Sequence, residues 1–429
     1  DGVYGRDFQA MFWAAIAAAL VFVIPLRGLA AVSGERAGNN LDLVRLTRLS
    51  ATRIVLGKWL AIIGQGLLVA AALAPYLVLR YFFGGVNIVV DLEIFAWLAA
   101  GAMAVAAAAL ALSTLPLWLR IGVVVAVAVV GFVPAVELAE EVLRGRLSFA
   151  TLGVGGRLGI LAGLGVYTVA LLEYAAARIA PPAENHAGRK RLLAVAIAVA
   201  WVVVATFGTP AAGIGTILVT LPLVLCYGVE ALLEDPAPIG SLYRPFGRWG
   251  GAGRLAAAVF SPGWATAVPF VAVVATLCLA GWTVFFGRHE PRSIWVALTI
   301  GCQLVAAVFF PLPLLVRMPR ARPRLLFYAL VQFVCFLVFV YLAAIKPRSL
   351  AFSAWNGWAF TLPFPVAALA AFTGIGNDKP EVTALFIAAA AVTTLAVLGL
   401  VAGPWRAAMR QVMRLVGDGD RRSPMSRAA

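Results

Sequence analysis

Charge is scarce in this sequence: of 429 residues only 12% are Asp, Glu, Lys or Arg, against about a quarter in a soluble globular domain. Together with 63% hydrophobic residues and a mean hydropathy of +0.96, that scarcity excludes a water-soluble globule. Strict alternation of polar and apolar residues is missing too, which excludes a transmembrane β-barrel. No G-x-x-x-x-G-K-[ST] occurs; GVGGRLG, from Gly153, has no lysine to reach a phosphate, so ATP hydrolysis does not belong to this chain. Nor does any apolar run carry the cluster of Asp, Glu and His that proton-coupled carriers use. The four cysteines, Cys226, Cys278, Cys302 and Cys335, all fall in apolar runs, where a thiol behaves as a small hydrophobe and implies neither disulfide nor metal site. Only two histidines are present, His186 and His289, each isolated in a polar loop and read as solvated. No signal-peptide pattern is visible in the first residues given.

What is abundant is long apolar runs, each able to cross about 30 Å of hydrocarbon as a helix. Candidate spans fall at 11–32, 58–82, 95–113, 115–136, 156–178, 192–207, 210–232, 264–286, 293–316, 325–345, 356–374 and 383–403. The fold class is therefore an all-α polytopic membrane protein with about eleven to twelve transmembrane helices. The net charge of +15 sits in short loops, where membrane anchoring and orientation account for it, so no nucleic-acid partner is expected. The richest basic loops are Arg36 to Lys58, Arg178 to Arg191, Arg244 to Arg254 and Arg317 to Arg324. An even number of candidate spans separates each from the next, which places all four on the cytoplasmic side. Twelve full crossings would leave the basic tail after Arg406 outside; Asn356 to Phe372, with two prolines, suits a re-entrant segment that would bring the tail back in. Glu173 near Arg178, and Glu230 with Glu234 and Asp235, read as interface anchors at the ends of their spans. GIGNDKPEV, Gly374 to Val382, reads as a turn.

One polar stretch interrupts the apolar text early, SGERAGNNLDLVRLTRLSATRIVLGKWL from Ser33 to Leu60. Asn39 and Asn40 can cap a short helix, Leu41 to Thr47, that turns Leu41, Leu43 and Val44 one way and Asp42, Arg45 and Arg48 the other. Such a helix lies along the membrane surface. Ser50 offers a second cap, with Arg53 and Lys58 at interface depth as Ile54 to Leu60 enter the bilayer. On physics alone this is an interfacial connector as readily as a docking element.

The wording Glu35-Arg36, Leu41-Asp42-Leu43-Val44, Leu46-Thr47-Arg48-Leu49-Ser50 and Ile54-Val55-Leu56-Gly57-Lys58 resembles the permeases of ABC-2 type transporters. There a loop reading roughly E-R-E-x-G-T-L-E-L-L-L-x-T-P-L-S, followed by I-x-x-G-K, forms a cytoplasmic coupling helix that docks onto a separate ATPase subunit. The resemblance extends through Pro75 and Gly84-Gly85-Val86 and covers about the first 180 residues. It departs at Ala37, Asn40 and Arg48, where the family has an acidic residue, threonine and proline. It implies a multi-pass exporter subunit of a bacterial inner membrane, with no cofactor in this chain and ATP bound by the partner. The partners implied are the ATPase subunit, membrane lipid and a second permease in a homo- or heterodimer. Glu35, Arg36, Leu41, Asp42, Leu43, Arg45 and Arg48 would carry the coupling, with Gly57 as hinge. Because the family has one more span before this point and the chain opens on Asp1, a lost first span is expected. Val136 to Phe149 would then be an exoplasmic surface helix or an ordinary loop helix.

The domain division that follows is a permease core at 1–180, further helices at 181–403 and a basic tail at 404–429. The segment Glu234 to Trp264 echoes the early polar stretch in position, not in wording, which leaves the second half as either a degenerate second unit or a set of added helices. Two rival functions also stand: a membrane-embedded enzyme or assembly factor, and a secondary carrier.

Overall fold

The computed structural model describes residues 16–34, 49–82, 88–124, 154–181, 186–235, 242–247, 249–291, 294–318, 324–344 and 380–421, with Trp13 and Glu184 besides. Among them there is no strand, and seven helices are long and apolar enough to cross a membrane. The chain is an all-α, multi-pass membrane protein. The seven match the candidate spans at 58–82, 95–113, 156–178, 192–207, 264–286, 293–316 and 383–403. That at 11–32 appears as the shorter apolar helix Ala18–Ala30, and those at 210–232 and 325–345 lie in the helices Pro210–Leu233 and Arg324–Ala344, whose apolar parts are Thr220–Leu233 and Arg324–Cys335, while 115–136 is described only to residue 124 and 356–374 lies outside the described residues, as does Val136 to Phe149.

Two compact units divide the chain, Asp1–His186 and Ala187–Ala429. In the first, α1 (Ala18–Ala30) winds from a π turn through an α turn into a 3-10 turn around Pro25, whose missing N–H breaks the regular ladder. The long helices α2 (Ala51–Phe82), α3 (Ile88–Ser113) and α4 (Val154–Ile179) pack beside it. Two apolar layers join them. Ile16, Leu20, Ile24, Ile62 and Ala106 form one, and Val32, Val55, Leu110, Ala175 and Ile179 form the other. The second lies where the chain leaves α1 and enters α2, at the roots of the 35–48 loop.

The second unit holds α5 (His186–Phe207, from Ala187 onward), α6 (Pro210–Leu233), α7 (Arg244–Gly247), α8 (Gly250–Phe260), α9 (Trp264–His289), α10 (Ile294–Phe309), α11 (Leu312–Arg317), α12 (Arg324–Ala344) and α13 (Pro380–Arg421). Trp201 anchors its middle: the indole donates to the Cys278 carbonyl at 3.2 Å and tilts against Phe285. Gly281 permits that approach, since a Cβ there would stand 2.3 Å from the indole nitrogen. The stretch Leu255 to Phe260 is part of α8, which buries Gly253 and Ala257 and exposes Arg254 and Leu255. His289 is not in a solvated loop; it closes the last turn of α9, 5.0 Å from the Phe285 ring.

Contacts at one end of this unit settle which ends lie together. Trp264 N–H donates to the Glu234 carbonyl, Arg324 pairs with Asp235 at 2.6 Å, and Val412 and Val416 pack on Leu242, Tyr243 and Ala257. Helix α12 leaves this end at Arg324 and α13 returns to it, so Ala344 and Pro380 both lie at the opposite end. The basic stretch after Gly403 therefore shares a side with the basic segment Arg244 to Arg254. In a variant without the four native cysteines, single cysteines at Ser423 and at exposed Gly251 are expected to react alike with an impermeant thiol reagent on intact cells. Labelling of one and protection of the other would break this topology.

Candidate functional site

Glu35, Arg36, Leu41, Asp42, Leu43, Arg45 and Arg48 lie outside the described residues; the structure displays the two roots that flank them in the chain. Ser33 and Gly34 form one root, Leu49 and Ser50 the other. Val32, fully buried, meets Ala51 and Val55 in the apolar layer between them. Gly57 lies inside regular α2, exposed, with no atom within 4 Å of where a Cβ would project.

Three polar clasps hold the roots. A helix ends with carbonyls that lack partners, and cations near that end satisfy them. Lys58 Nζ donates to Ala31 O at 3.0 Å, and Arg120 donates to Leu29 O at 2.9 Å and Ser33 Oγ at 3.3 Å. The other guanidinium nitrogen of Arg120 donates to Ser113 O and Leu115 O, both at 3.1 Å, so a single side chain ties the end of α1 to the end of α3. Lys58 is thus not a snorkelling anchor alone; it is a cap on α1.

The third clasp corrects the reading of His186 and Glu173. His186 is buried, its Nδ1 2.7 Å from Glu173 Oε1 and its Nε2 2.9 Å from Glu184 Oε2. Ionised carboxylates only accept hydrogen bonds, so both contacts are made when the ring carries both protons. Glu184 Oε2 also accepts from the Ala51 N–H at 3.3 Å, one of the amides at the start of α2 that lack a helical partner. The chain Glu173–His186–Glu184–Ala51 therefore runs from α4 to the first residue of α2. Glu173 is a member of this chain and not simply an interface anchor. Neither Glu184 nor Arg120 was singled out from the sequence. Arg120 had a signal, an arginine inside the apolar candidate span 115–136; Glu184, in a Pro-rich turn, had none.

The second unit has its own buried charge cluster. Arg191, with a side chain 2% exposed, donates to Val259 O, Ser261 O and Thr266 Oγ1 through one nitrogen, and to Glu234 Oε2 and Gly263 O through the other, at 2.6 to 3.1 Å. Its guanidinium also lies 5.4 Å from the centre of the Phe270 ring. Lys190 Nζ pairs with Glu234 at 3.0 Å and Glu230 at 3.2 Å. Glu230 and Glu234 share one face of α6 by their i, i+4 spacing. Burial pushes the Glu234 carboxyl up, and Lys190 and Arg191 outweigh that and hold it below the usual carboxylate range. The five bonds of Arg191 secure the turn Ser261–Pro262–Gly263 between α8 and α9, where Gly263 has φ +121°, a conformation L side chains rarely adopt. Glu230 and Glu234 are therefore partners of a buried cationic pair and not simply interface anchors.

Neither arrangement presents a nucleophile beside a base. Among the described residues no group of three or more His, Cys, Asp or Glu is placed to hold a metal ion. The contacts hold together the helix ends that flank residues 35–48 in one unit, and fix a short helix to a long one in the other. These features define a multi-pass helical membrane protein with braced loop roots. Comparison of the chain with protein-family models, with curated proteins and with solved structures finds no match in any of the three.

Proposed function

We propose that this chain is the membrane-spanning subunit of an ABC-2 type ATP-driven exporter in a bacterial inner membrane, driven by a separate ATPase subunit that docks on the 35–48 loop. The observation that carries the reading is the wording of the loop, Glu35-Arg36 through Leu41-Asp42-Leu43-Val44 to Leu49-Ser50, resembling an ABC-2 coupling segment. The braced roots support it mechanically. A push on the loop reaches α2 at Ala51, and α2 has no proline before Pro75, about 36 Å further along at 1.5 Å per residue. Over that length the helix moves as a rod, with Gly57 the softest point near its start. Lys58, Arg120 and the Glu184–Ala51 contact keep the push from being lost as slack between α1, α2 and α3.

The test is to purify the chain from its own membranes, identify the ATPase subunit that accompanies it, and reverse charge at Glu35 and Asp42. Each reversal is expected to weaken the complex by about tenfold, equivalent to about 1.4 kcal/mol, and to lower transport-coupled ATP hydrolysis with membrane insertion unchanged. Unchanged coupling in both variants refutes docking at this loop. Absence of any ATPase subunit from the wild-type preparation refutes the function itself.

A further inference from the structure

The C-terminal part of α13 carries a feature that the loop-docking reading does not use. Arg406, Arg410 and Arg414 recur every four residues and form one exposed row, and no carboxylate pairs with them among the described residues. Met409 and Met413, half-buried, run beside the row, and with Trp405 these residues line a shallow, open groove. The segment 404–416 contains no Asp or Glu. Like charges at i, i+4 destabilise a helix by about 0.2–0.5 kcal/mol per pair, and a merely solvated face relieves this by interleaving glutamates. Here the repulsion is retained.

We infer that this row is a second docking surface for an acidic face of a soluble partner protein, which, resting on the function proposed above, is the ATPase subunit. Position favours protein over lipid. The apolar run of α13 ends near Gly403, and Arg414 lies 11 residues beyond, about 16 Å along the axis. The headgroup layer on one face is only about 5–8 Å thick. Helix α13 continues through Pro404 to Arg421, and this stretch rests on its own unit: Val412 and Val416 are buried against Leu242, Tyr243 and Ala257, and the Trp405 indole donates to Ala265 O at 2.7 Å. Arg410 and Arg414 are exposed one and two helical turns beyond Arg406, about 6 and 12 Å further along the axis. Composition points the same way. Arginine and methionine are enriched at protein interfaces, lysine is depleted there, and the row has the first two and none of the third. The planar guanidinium binds a carboxylate through two parallel bonds, and the methionines supply an adaptable apolar margin. Beneath the surface, Arg191 fastens α8 to α9, so the platform on which α13 rests is rigid.

The experiment places the photocrosslinking residue p-benzoylphenylalanine at exposed Gln411, between Arg410 and Arg414, and irradiates the complex in native membranes. The expected result is an adduct with the ATPase subunit that maps to an Asp- and Glu-rich segment. The triple variant Arg406→Glu, Arg410→Glu, Arg414→Glu should lose the adduct and weaken the purified complex at least tenfold. Val412 and Val416 are untouched, so the variant should melt with the wild type. Adducts with lipid alone, or none, overturn the inference. So does full ATPase binding by the folded triple variant, while the effects at Glu35 and Asp42 still stand for the loop. If the wild-type chain brings no ATPase subunit, both readings fall.

Discussion

Replacing Arg191 with methionine is expected to lower the melting temperature of the detergent-solubilised protein by about 10 °C. Removing one partner from a buried ionic cluster costs about 3–5 kcal/mol, because the charges and carbonyls left behind cannot return to water. For a unit of this size, 1 kcal/mol corresponds to about 2–4 °C. Methionine keeps the volume but none of the five bonds, so Val259 O loses its guanidinium donor, Ser261 O keeps only the Thr266 hydroxyl, Gly263 O keeps that hydroxyl and the Ala267 N–H, and the Glu234 carboxylate keeps only Lys190. The damage should centre on the α8–α9 turn, visible as faster amide exchange from Phe260 to Thr266. The pH dependence follows from Glu234. Its folded carboxyl titrates below the usual range, so the stability it contributes is present above that range and is lost as pH falls through the folded value. Loss of Arg191 removes part of the force holding that carboxyl down and should move acid unfolding to higher pH. A variant with wild-type melting and exchange would show that the cluster is not what holds the turn.

Replacing His186 with leucine should loosen the start of α2. The substitution leaves Glu173 and Glu184 facing an apolar side chain, at an expected cost of about 2–3 kcal/mol, less than for Arg191 because Glu184 is 31% exposed and can rehydrate. As Glu184 turns to water it gives up the Ala51 N–H. Amide exchange from Ala51 to Val55 should rise about tenfold or more, with little change in α9 or α13 of the other unit. Coupled transport should fall with it if the loop transmits force through this root. Unaltered exchange at Ala51 would mean that the apolar contacts of Val32, Ala51 and Val55 suffice without the polar chain.

Much of the fold was legible because hydropathy reports directly on the bilayer. Apolar runs of the right length located seven membrane-length helices to within several residues. Their ends were less legible for a physical reason: the apolar run stops where the hydrocarbon stops, whereas a helix continues for as long as its residues favour it. Thus α2 begins at Ala51, seven residues before the candidate span, and α13 continues from the run ending at 403 out to Arg421. The parity conflict over the tail was also visible in the sequence, but only the packing of Val412 and Val416 on α7 and α8 sets that tail beside the Arg244 to Arg254 segment.

The polar residues divide differently. The sequence by itself determined that this is a helical multi-pass membrane protein, that its basic loops alternate in a consistent pattern, and that Ser33 to Leu60 is an unusual polar interruption. These depend on composition and order along the chain, which need no partner to be read. Only the tertiary structure decided that His186 stands between Glu173 and Glu184, that Arg120 reaches Leu29 across 91 residues, and that Arg191 gathers the Val259 to Thr266 turn. A charged side chain near a membrane surface can be satisfied by water, by a headgroup or by a distant residue, and all three leave the same letter in the sequence. Burial removes the first two choices, and burial is a property of how the helices pack.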